Sequence, residues 1–132
     1  MEPTKSRSES IVEMVQLVLP NDVNLLENLK GGRLMHWIDI AAALTASKHS
    51  NHIVATVAMD SLDFKHPVKR GEMVKLKAVL ESVGNTSMRI KVTVWAENLQ
   101  TGKVTLTNEA NLVFVALDKD GNPTRVPRLI ND

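Results

Sequence analysis

The sequence predicts an α+β domain in which a curved antiparallel sheet wraps around one long helix. Residues 31–47 carry apolar side chains at helical spacing and are rich in alanine, which indicates a helix that packs closely against a sheet. Four later segments alternate apolar and polar side chains, the period of a half-buried strand. Strands of roughly ten residues exceed the usual ~5–6, and long strands twist and curl. The economical arrangement is therefore one sheet curled around the helix.

The predicted elements follow one another in the order β-α-β-β-β-β. Apolar residues at most positions of 11–19 predict a first strand buried on much of both faces, and Pro20 ends it. Turns are predicted at Gly84-Asn85, where positive φ angles are expected, and at Thr101-Gly102. The other elements are predicted to cover residues 31–47 as the helix and residues 53–64, 73–82, 87–97 and 104–117 as strands.

Two apolar faces are predicted to meet in the core. One is a helical stripe formed by Leu34, Met35, Ile38, Ala41, Ala42 and Thr45. The other is the inner face of the sheet, to which the last strand contributes Val104, Leu106, Ala110, Leu112, Phe114 and Ala116.

A length of 132 residues is typical of one domain. We expect that domain to span residues 11–128. Residues 1–10 are polar and charged, which predicts a flexible tail, and residues 129–132 are expected to form a short second tail.

The composition excludes several classes of protein. There are no cysteines, so disulfides and cysteine-ligated metals are ruled out. Sixteen Lys and Arg against fifteen Asp and Glu give a net charge of +1, which does not indicate a nucleic-acid-binding face. No apolar run approaches the ~20 residues that cross a bilayer, and the N-terminal residues do not resemble a signal peptide. We therefore expect a cytoplasmic protein with no membrane or nucleic-acid partner.

Asp39 is the one carboxylate in the middle of the predicted helix. Its neighbours from residue 34 to 44 are apolar, apart from His36. A simple interpretation pairs Asp39 with His36 on the solvent side of an amphipathic helix. That side also carries Trp37 and Ile40, however, and desolvation disfavours a charged carboxylate. The pattern therefore favours a functional acid.

Gly31 and Gly32 open the same helix and leave its first backbone N–H groups uncovered by side chains. Such an entrance, with its positive dipole end, is suited to an oxygen that carries negative charge. Gly32 and Asp39 are separated by about 10 Å along the axis at 1.5 Å per residue, too far for both to reach one reacting carbonyl. If both are used, they come from two chains related by a two-fold axis. The spacing thus predicts a composite site at a dimer interface.

Three segments together form a recognisable pattern: PNDVNLLENLKGGRLMHWIDIAAA (20–43), VATVAMDSLDFKHPVKRGEMV (54–74) and TSMRIKVTVW (86–95). They resemble the hotdog-fold acyl-CoA thioesterases, in particular the bacterial acyl-CoA hydrolases related to the brain cytosolic enzyme. The likeness extends over residues 11–128. It implies a hotdog fold, hydrolysis of acyl-CoA to free acid and coenzyme A, and a homodimer at least, with a hexamer built as a trimer of dimers. Coenzyme A is then part of the substrate, and no separate cofactor is expected.

The resemblance also implies roles for single residues. Asn24 matches the family's catalytic asparagine, and Asp39 matches the catalytic carboxylate, acting as general base or as nucleophile. The N–H of Gly32 matches the oxyanion contact, with Gly31 beside it in the substrate-binding set. The turn Gly84-Asn85-Thr86-Ser87 matches a segment near bound coenzyme A in relatives. One departure is Glu27, where relatives often have a glycine, and its larger side chain could change the path of the loop that carries Asn24.

Other polar groups receive weaker interpretations. The four histidines, His36, His49, His52 and His66, are not spaced as metal ligands, so no metal site is predicted. The basic run 65–70 is either a solvated turn or a contact for the phosphates of coenzyme A, and Arg125 and Arg128 are treated in the same way.

Two other functions remain open at this point. The first is a hydratase or dehydratase acting on acyl thioesters, for which His36 or His66 would serve as the base. The second is a hotdog module that senses acyl-CoA without turning it over. Retention of Asn24, Gly32 and Asp39 together argues against a pure binder.

Overall fold

The fold consists of one long helix packed against a five-stranded antiparallel sheet, in a computed structural model that describes residues 3–60 and 65–130. The predicted α+β architecture is confirmed. The sheet order is β2-β4-β5-β6-β3, and two short strands, β1 and β7, pair separately. The elements are β1 (Thr4–Ser6), β2 (Val12–Leu17), α1 (Gly31–Ser50), β3 (Ile53–Met59), β4 (Met73–Val83), β5 (Ser87–Glu97), β6 (Val104–Leu117) and β7 (Arg128–Ile130), with 3₁₀ turns at Arg7–Ser10 and Pro20–Asp22.

Helix α1 is longer than predicted and covers the inner face of the sheet. It ends at Ser50 and is capped by Asn51, whose φ of 58° is left-handed and whose N–H donates to the Ser47 carbonyl at 2.8 Å. The predicted stripe is buried except for Met35, which is 38% exposed, and the burial of Trp37 widens it. Among the described residues, no helix is both long and apolar enough to cross a membrane.

The inner faces of β4, β5 and β6 alternate as predicted and form most of the core. The prediction is wrong for Val104 and Leu106, which are 56% and 48% exposed. The register between β5 and β6 shifts between Val94 and Trp95, and Thr107 and Asn108 are both buried in succession. This bulge reverses which residues face inward, because the side-chain period of a strand is two.

The predicted tails are corrected for the residues that the structure describes. Thr4–Ser6 and Arg128–Ile130 form β1 and β7, which pair in parallel. Arg7 anchors the N-terminal segment because Nε donates to the Leu80 carbonyl at 2.7 Å and Nη2 to the Glu81 carbonyl at 3.0 Å. The composition of residues 1–10 does not reveal these contacts, since their partners lie more than 70 positions away. Residues 1–2 and 131–132 lie outside the described residues.

Both edge strands expose apolar side chains. On β2, Val15 is 56% and Leu17 49% exposed, so the expectation of burial on both faces is wrong in the single chain. On β3, Ile53 is 73% and Val57 58% exposed. β3 ends at Met59, and residues 61–64 of the predicted strand lie outside the described residues. Unpaired apolar edges of this kind are surfaces that a second chain can cover.

Candidate active site

Asp39 is half-buried on α1 and points toward the edge strand β3. The Thr56 hydroxyl donates a hydrogen bond of 2.8 Å to its Oδ1. Within the described residues His36 makes no ion pair with Asp39, so the simple pairing of the two is not formed. Sequence reasoning missed Thr56. Its only signal was a hydroxyl in an otherwise apolar strand.

Asn24 lies on an exposed loop that its own side chain organises. Its Oδ1 accepts hydrogen bonds from the N–H groups of Leu26 at 2.9 Å and Asn28 at 3.2 Å, and its N–H donates to the Asn28 carbonyl at 2.9 Å. This is an Asx-type turn. Because the side-chain oxygen is occupied, the NH₂ group of Asn24 is the part left to face a substrate, and it can only donate.

Glu27 occupies the position where a glycine was expected, and it adopts a glycine-like conformation. Its φ is 65°, in the left-handed region. Its N–H donates to the Asn24 carbonyl at 3.0 Å, which closes the turn. Glu27 thus adopts a backbone conformation that glycine tolerates without strain.

The basic run 65–70 has a structural role that neither sequence interpretation included. Lys69 donates from Nζ to the Asn28 side-chain oxygen, and Arg70 Nε lies 3.2 Å from Glu27 Oε2. A backbone hydrogen bond joins the same two segments: the Leu29 N–H donates to the carbonyl of buried Val68 at 2.7 Å. The end of the run thus supports the Asn24 loop.

Gly31 and Gly32 form an uncovered helix entrance. Lys30 provides no side-chain cap, and the first turn contains no acid. A Cβ added to Gly32 would meet nothing within 4 Å, so the space above it is open. Within the described residues the N–H groups of Gly31 and Gly32 have no hydrogen-bond acceptor. They are therefore available to an anionic oxygen.

Asp22 joins this entrance to the Asn24 loop, a role that sequence reasoning did not anticipate. Its buried carboxylate accepts the Leu19 N–H at 2.9 Å and pairs with Arg33 Nε at 3.2 Å. Its carbonyl accepts the Lys30 N–H at 2.9 Å. A cleft of about 510 Å³ opens beside this junction, with Asn24, Leu25, Lys30 and Arg70 among its walls.

In one chain, the structure brings Asn24 near the helix entrance and keeps Asp39 away from it. Asp22 connects the Asn24 loop to the helix entrance. Gly32 and Asp39, in contrast, remain about 10 Å apart along the axis of one continuous helix. A single chain therefore does not assemble the whole predicted set.

The predicted turn at residues 84–87 packs against the C-terminal segment. Arg128 Nη2 donates to the Gly84 carbonyl at 2.7 Å, and Arg125 Nη1 to Asn85 Oδ1 at 3.2 Å. Neither Gly84 nor Asn85 has positive φ, so that expectation is wrong. Glycine serves here for close approach, because a Cβ at Gly84 would lie 2.6 Å from Ser87 Oγ. Arg125 also lines a cleft of about 610 Å³ together with Lys5 and His52.

His49 is the buried histidine of α1. Its Nε2 lies 2.8 Å from the Pro127 carbonyl and must carry the proton, since a carbonyl only accepts. Burial lowers the pKa of His49 below its ordinary value of 6.5. Nδ1 is buried without a partner within the described residues. Over all the residues that the structure describes, no group of three or more His, Asp or Glu side chains could hold a metal ion.

The family is established by comparison with known proteins. The profile of the Thioesterase superfamily matches residues 27–103, more than half of the chain. An uncharacterized acyl-CoA thioester hydrolase of Bacillus subtilis, YkhA, is 39% identical over 127 residues, which cover 96% of this chain and 74% of that protein. The chain therefore belongs to the thioesterase superfamily, and its fold is the hotdog fold of that family.

Solved structures extend the likeness. An acyl-CoA hydrolase from Staphylococcus aureus, in complex with butyryl coenzyme A, coenzyme A and coenzyme A disulfide, is 37% identical with a TM-score of 0.92 over 98% of this chain and 79% of its own. An apo-hexameric acyl-CoA thioesterase is 39% identical with a TM-score of 0.94 over 98% and 83%. The Staphylococcus aureus enzyme has also been solved with one aspartate, one asparagine and one threonine each replaced by alanine, at 36% identity and TM-scores of 0.91 to 0.93.

Proposed function

We propose that this chain hydrolyses acyl-CoA thioesters to free acid and coenzyme A, at a composite site shared by two subunits. The observation that carries the proposal is the hydrogen bond from Thr56 to Asp39. In the Staphylococcus aureus hydrolase, the mutated asparagine precedes the mutated aspartate by 15 positions, and the mutated threonine follows by 17. Asn24, Asp39 and Thr56 have the same spacings. Two proteins of similar fold thus share a set of three polar residues.

The chemistry assigns each group one task. Water attacks the thioester carbonyl, the C–O bond forms, and Asp39 takes the proton as general base; alternatively Asp39 attacks directly and water resolves the anhydride. The N–H of Gly32, with that of Gly31 beside it, stabilises the oxyanion, a contact worth about 3–4 kcal/mol when lost elsewhere. The C–S bond then breaks, and the thiolate leaves without needing a proton.

Asn24 acts as a hydrogen-bond donor in this scheme. Since its Oδ1 is occupied by two backbone N–H groups, its NH₂ can donate to the thioester oxygen or to a lone pair of the attacking water. It cannot accept a proton from that water. We therefore assign Asn24 to orienting the substrate or the water and to polarising the thioester carbonyl.

A dimer completes the site because one chain separates its parts. We propose that Asp39 of one subunit faces the Asn24 loop and diglycine entrance of the other. Exposed Ile53 and Val57 on the edge strand give the two-fold contact an apolar surface. We further propose a hexamer built as a trimer of dimers, and a cytoplasmic location. One solved relative is described as hexameric.

The coenzyme A portion of the substrate is proposed to contact the turn from Gly84 to Ser87. Arg125 and Arg128 hold this turn, and Arg125 borders the neighbouring cleft with Lys5. Positive side chains here suit the phosphates of coenzyme A. No separate cofactor enters the scheme.

Release of free thiol from a panel of acyl-CoAs tests the proposal. The wild type should release coenzyme A, and Asp39→Asn should release almost none while its assembly, measured by light scattering, stays the same. Asp120→Asn, an exposed aspartate in a surface turn, is the matched control and should retain full activity. Hydration of an enoyl thioester without thiol release would favour the hydratase, and binding without turnover would favour the sensor.

A further inference from the structure

Glu27 is held in a backbone conformation that its residue type disfavours. Its φ of 65° lies in the left-handed region, where Cβ crowds the following carbonyl. Among the described residues, only Asn51 shares this feature without being glycine, and asparagine tolerates it. Glu27 lacks that tolerance, so neighbouring contacts must maintain its conformation.

Arg70 supplies two such contacts. Its backbone N–H donates to the Glu27 carbonyl at 3.2 Å, and its Nε lies 3.2 Å from Glu27 Oε2. Both side chains are more than half exposed, so an isolated ion pair between them would contribute little. The backbone hydrogen bond already holds the Glu27 carbonyl and brings the two side chains together. The ion pair then adds a second contact to the same residue.

The conformation of Glu27 determines where the Asn24 side chain points. The Glu27 N–H closes the turn on the Asn24 carbonyl at 3.0 Å, and the next N–H, of Asn28, returns to Asn24 Oδ1 at 3.2 Å. Relaxation of Glu27 out of the left-handed region would rotate the Asn28 N–H away from that oxygen. The carboxamide would lose one of the two backbone donors that orient it.

We propose that Arg70 is a positioning residue for hydrolysis: by clamping Glu27, it orients the carboxamide of Asn24 toward the substrate. The inference rests on the proposed function, in which Asn24 touches the thioester. Because Arg70 acts through Glu27, its loss lowers kcat and leaves KM nearly unchanged. An arginine that bound the phosphates of coenzyme A would show the opposite pattern, a raised KM with kcat preserved.

Steady-state kinetics in two backgrounds test the clamp. Arg70→Gln should lower kcat about fivefold in the wild-type background, but less than about twofold in a Glu27→Gly background, because glycine needs no clamp at positive φ. Arg70→Lys keeps a charge for Glu27 and should retain most of kcat. Arg89→Gln, which removes an exposed arginine on β5, controls for the loss of positive charge and should leave kcat and KM unchanged.

Amide hydrogen exchange over residues 24–28 gives a readout that needs no turnover. Exchange should be several-fold faster in Arg70→Gln than in the wild type, and the same substitution should change it little in the Glu27→Gly background. If the wild type releases no thiol but the exchange rates of the variants differ in this way, the proposed function fails and the clamp stands. Equal loss of kcat in both backgrounds, a change confined to KM, or unchanged exchange would each overturn the clamp.

Discussion

The Thr56 hydroxyl donates a hydrogen bond of 2.8 Å to Oδ1 of Asp39. Asp39 comes from the middle of α1 and Thr56 from the edge strand β3, where the register with β6 shifts between Thr56 and Ala58. The bond fixes one carboxylate oxygen. Within the described residues Oδ2 accepts no hydrogen bond, so it is the oxygen available to take a proton from water.

Replacing Thr56 by valine should lower kcat roughly tenfold. A hydrogen bond to a charged group is worth about 1.5–3 kcal/mol, and because this bond is exposed to solvent only part of that is expected. Valine keeps the shape of the side chain and removes only the hydroxyl. Thr56→Ser, which keeps the hydroxyl, should stay within about threefold of the wild type. Thiol-release kinetics provide the measurement, and equal rates for the valine and serine variants would contradict a positioning role.

Asn24→Asp separates the two functions of the asparagine side chain. Aspartate still accepts the N–H groups of Leu26 and Asn28, so the loop and the melting temperature should be preserved. It has no NH₂ to donate and adds a negative charge toward the thioester oxygen, so kcat should fall by roughly 10²-fold. Substantial turnover by this variant would show that donation by Asn24 is not needed.

Gly32→Ala should separate stability from activity. In the single chain the added methyl meets nothing within 4 Å, and alanine is the better helix former, so the free energy of unfolding should rise by about 0.5–1 kcal/mol. Because a helical Cβ is tilted toward the N-terminus, the same methyl should crowd an oxygen bound at the uncovered N–H groups, and kcat should fall roughly tenfold or more. Denaturant titration and thiol release measure the two quantities. A variant that is fully active would remove the helix entrance from the mechanism.

His49 makes the stability of the protein depend on pH. Burial lowers the pKa of His49 in the folded state, so the unfolded chain binds more protons in acid. The neutral ring contributes to the free energy of unfolding. This contribution is fully present above pH 6.5, the ordinary pKa, and is lost as the pH falls from there through the lower pKa of the folded state. His49→Gln keeps an N–H that can reach the Pro127 carbonyl but does not titrate.

Urea titrations at pH values of about 7 and 5 test this at constant subunit concentration. The wild type should lose more stability between the two pH values than His49→Gln does. The same loss in both proteins would assign the pH dependence to other groups.

Local periodicity predicts the large elements of this fold well. The helix and the strands β4, β5 and β6 lie where the 3.6- and 2-residue periods place them, because each buries one continuous face. The three-residue strands β1 and β7 are too short to show a period and exist through contact with each other. The bulge at Thr107 was missed because apolar residues occupy even-numbered positions on both sides of it, and a single polar residue, Asn108, does not reveal a change of register.

The candidate site was predicted by residue type but not by arrangement. The apolar neighbours of Asp39 and the bare glycines of the helix entrance are local features, and the resemblance added Asn24. Thr56 and Asp22 were missed because their roles arise from contacts that the folded chain creates. The supporting role of Arg70 depends on the φ of Glu27, which the residue type does not predict.

Complementation between two inactive variants tests the composite site most directly. When Asn24→Asp and Asp39→Asn subunits are co-expressed with different tags, random pairing makes half of the dimers mixed, and each mixed dimer has one intact site of two if the site spans the interface. The preparation should then recover about a quarter of wild-type thiol release, and purified mixed dimers about half. Mixed dimers as inactive as either parent would show that Asn24 and Asp39 act within one subunit, and the shared site would be wrong.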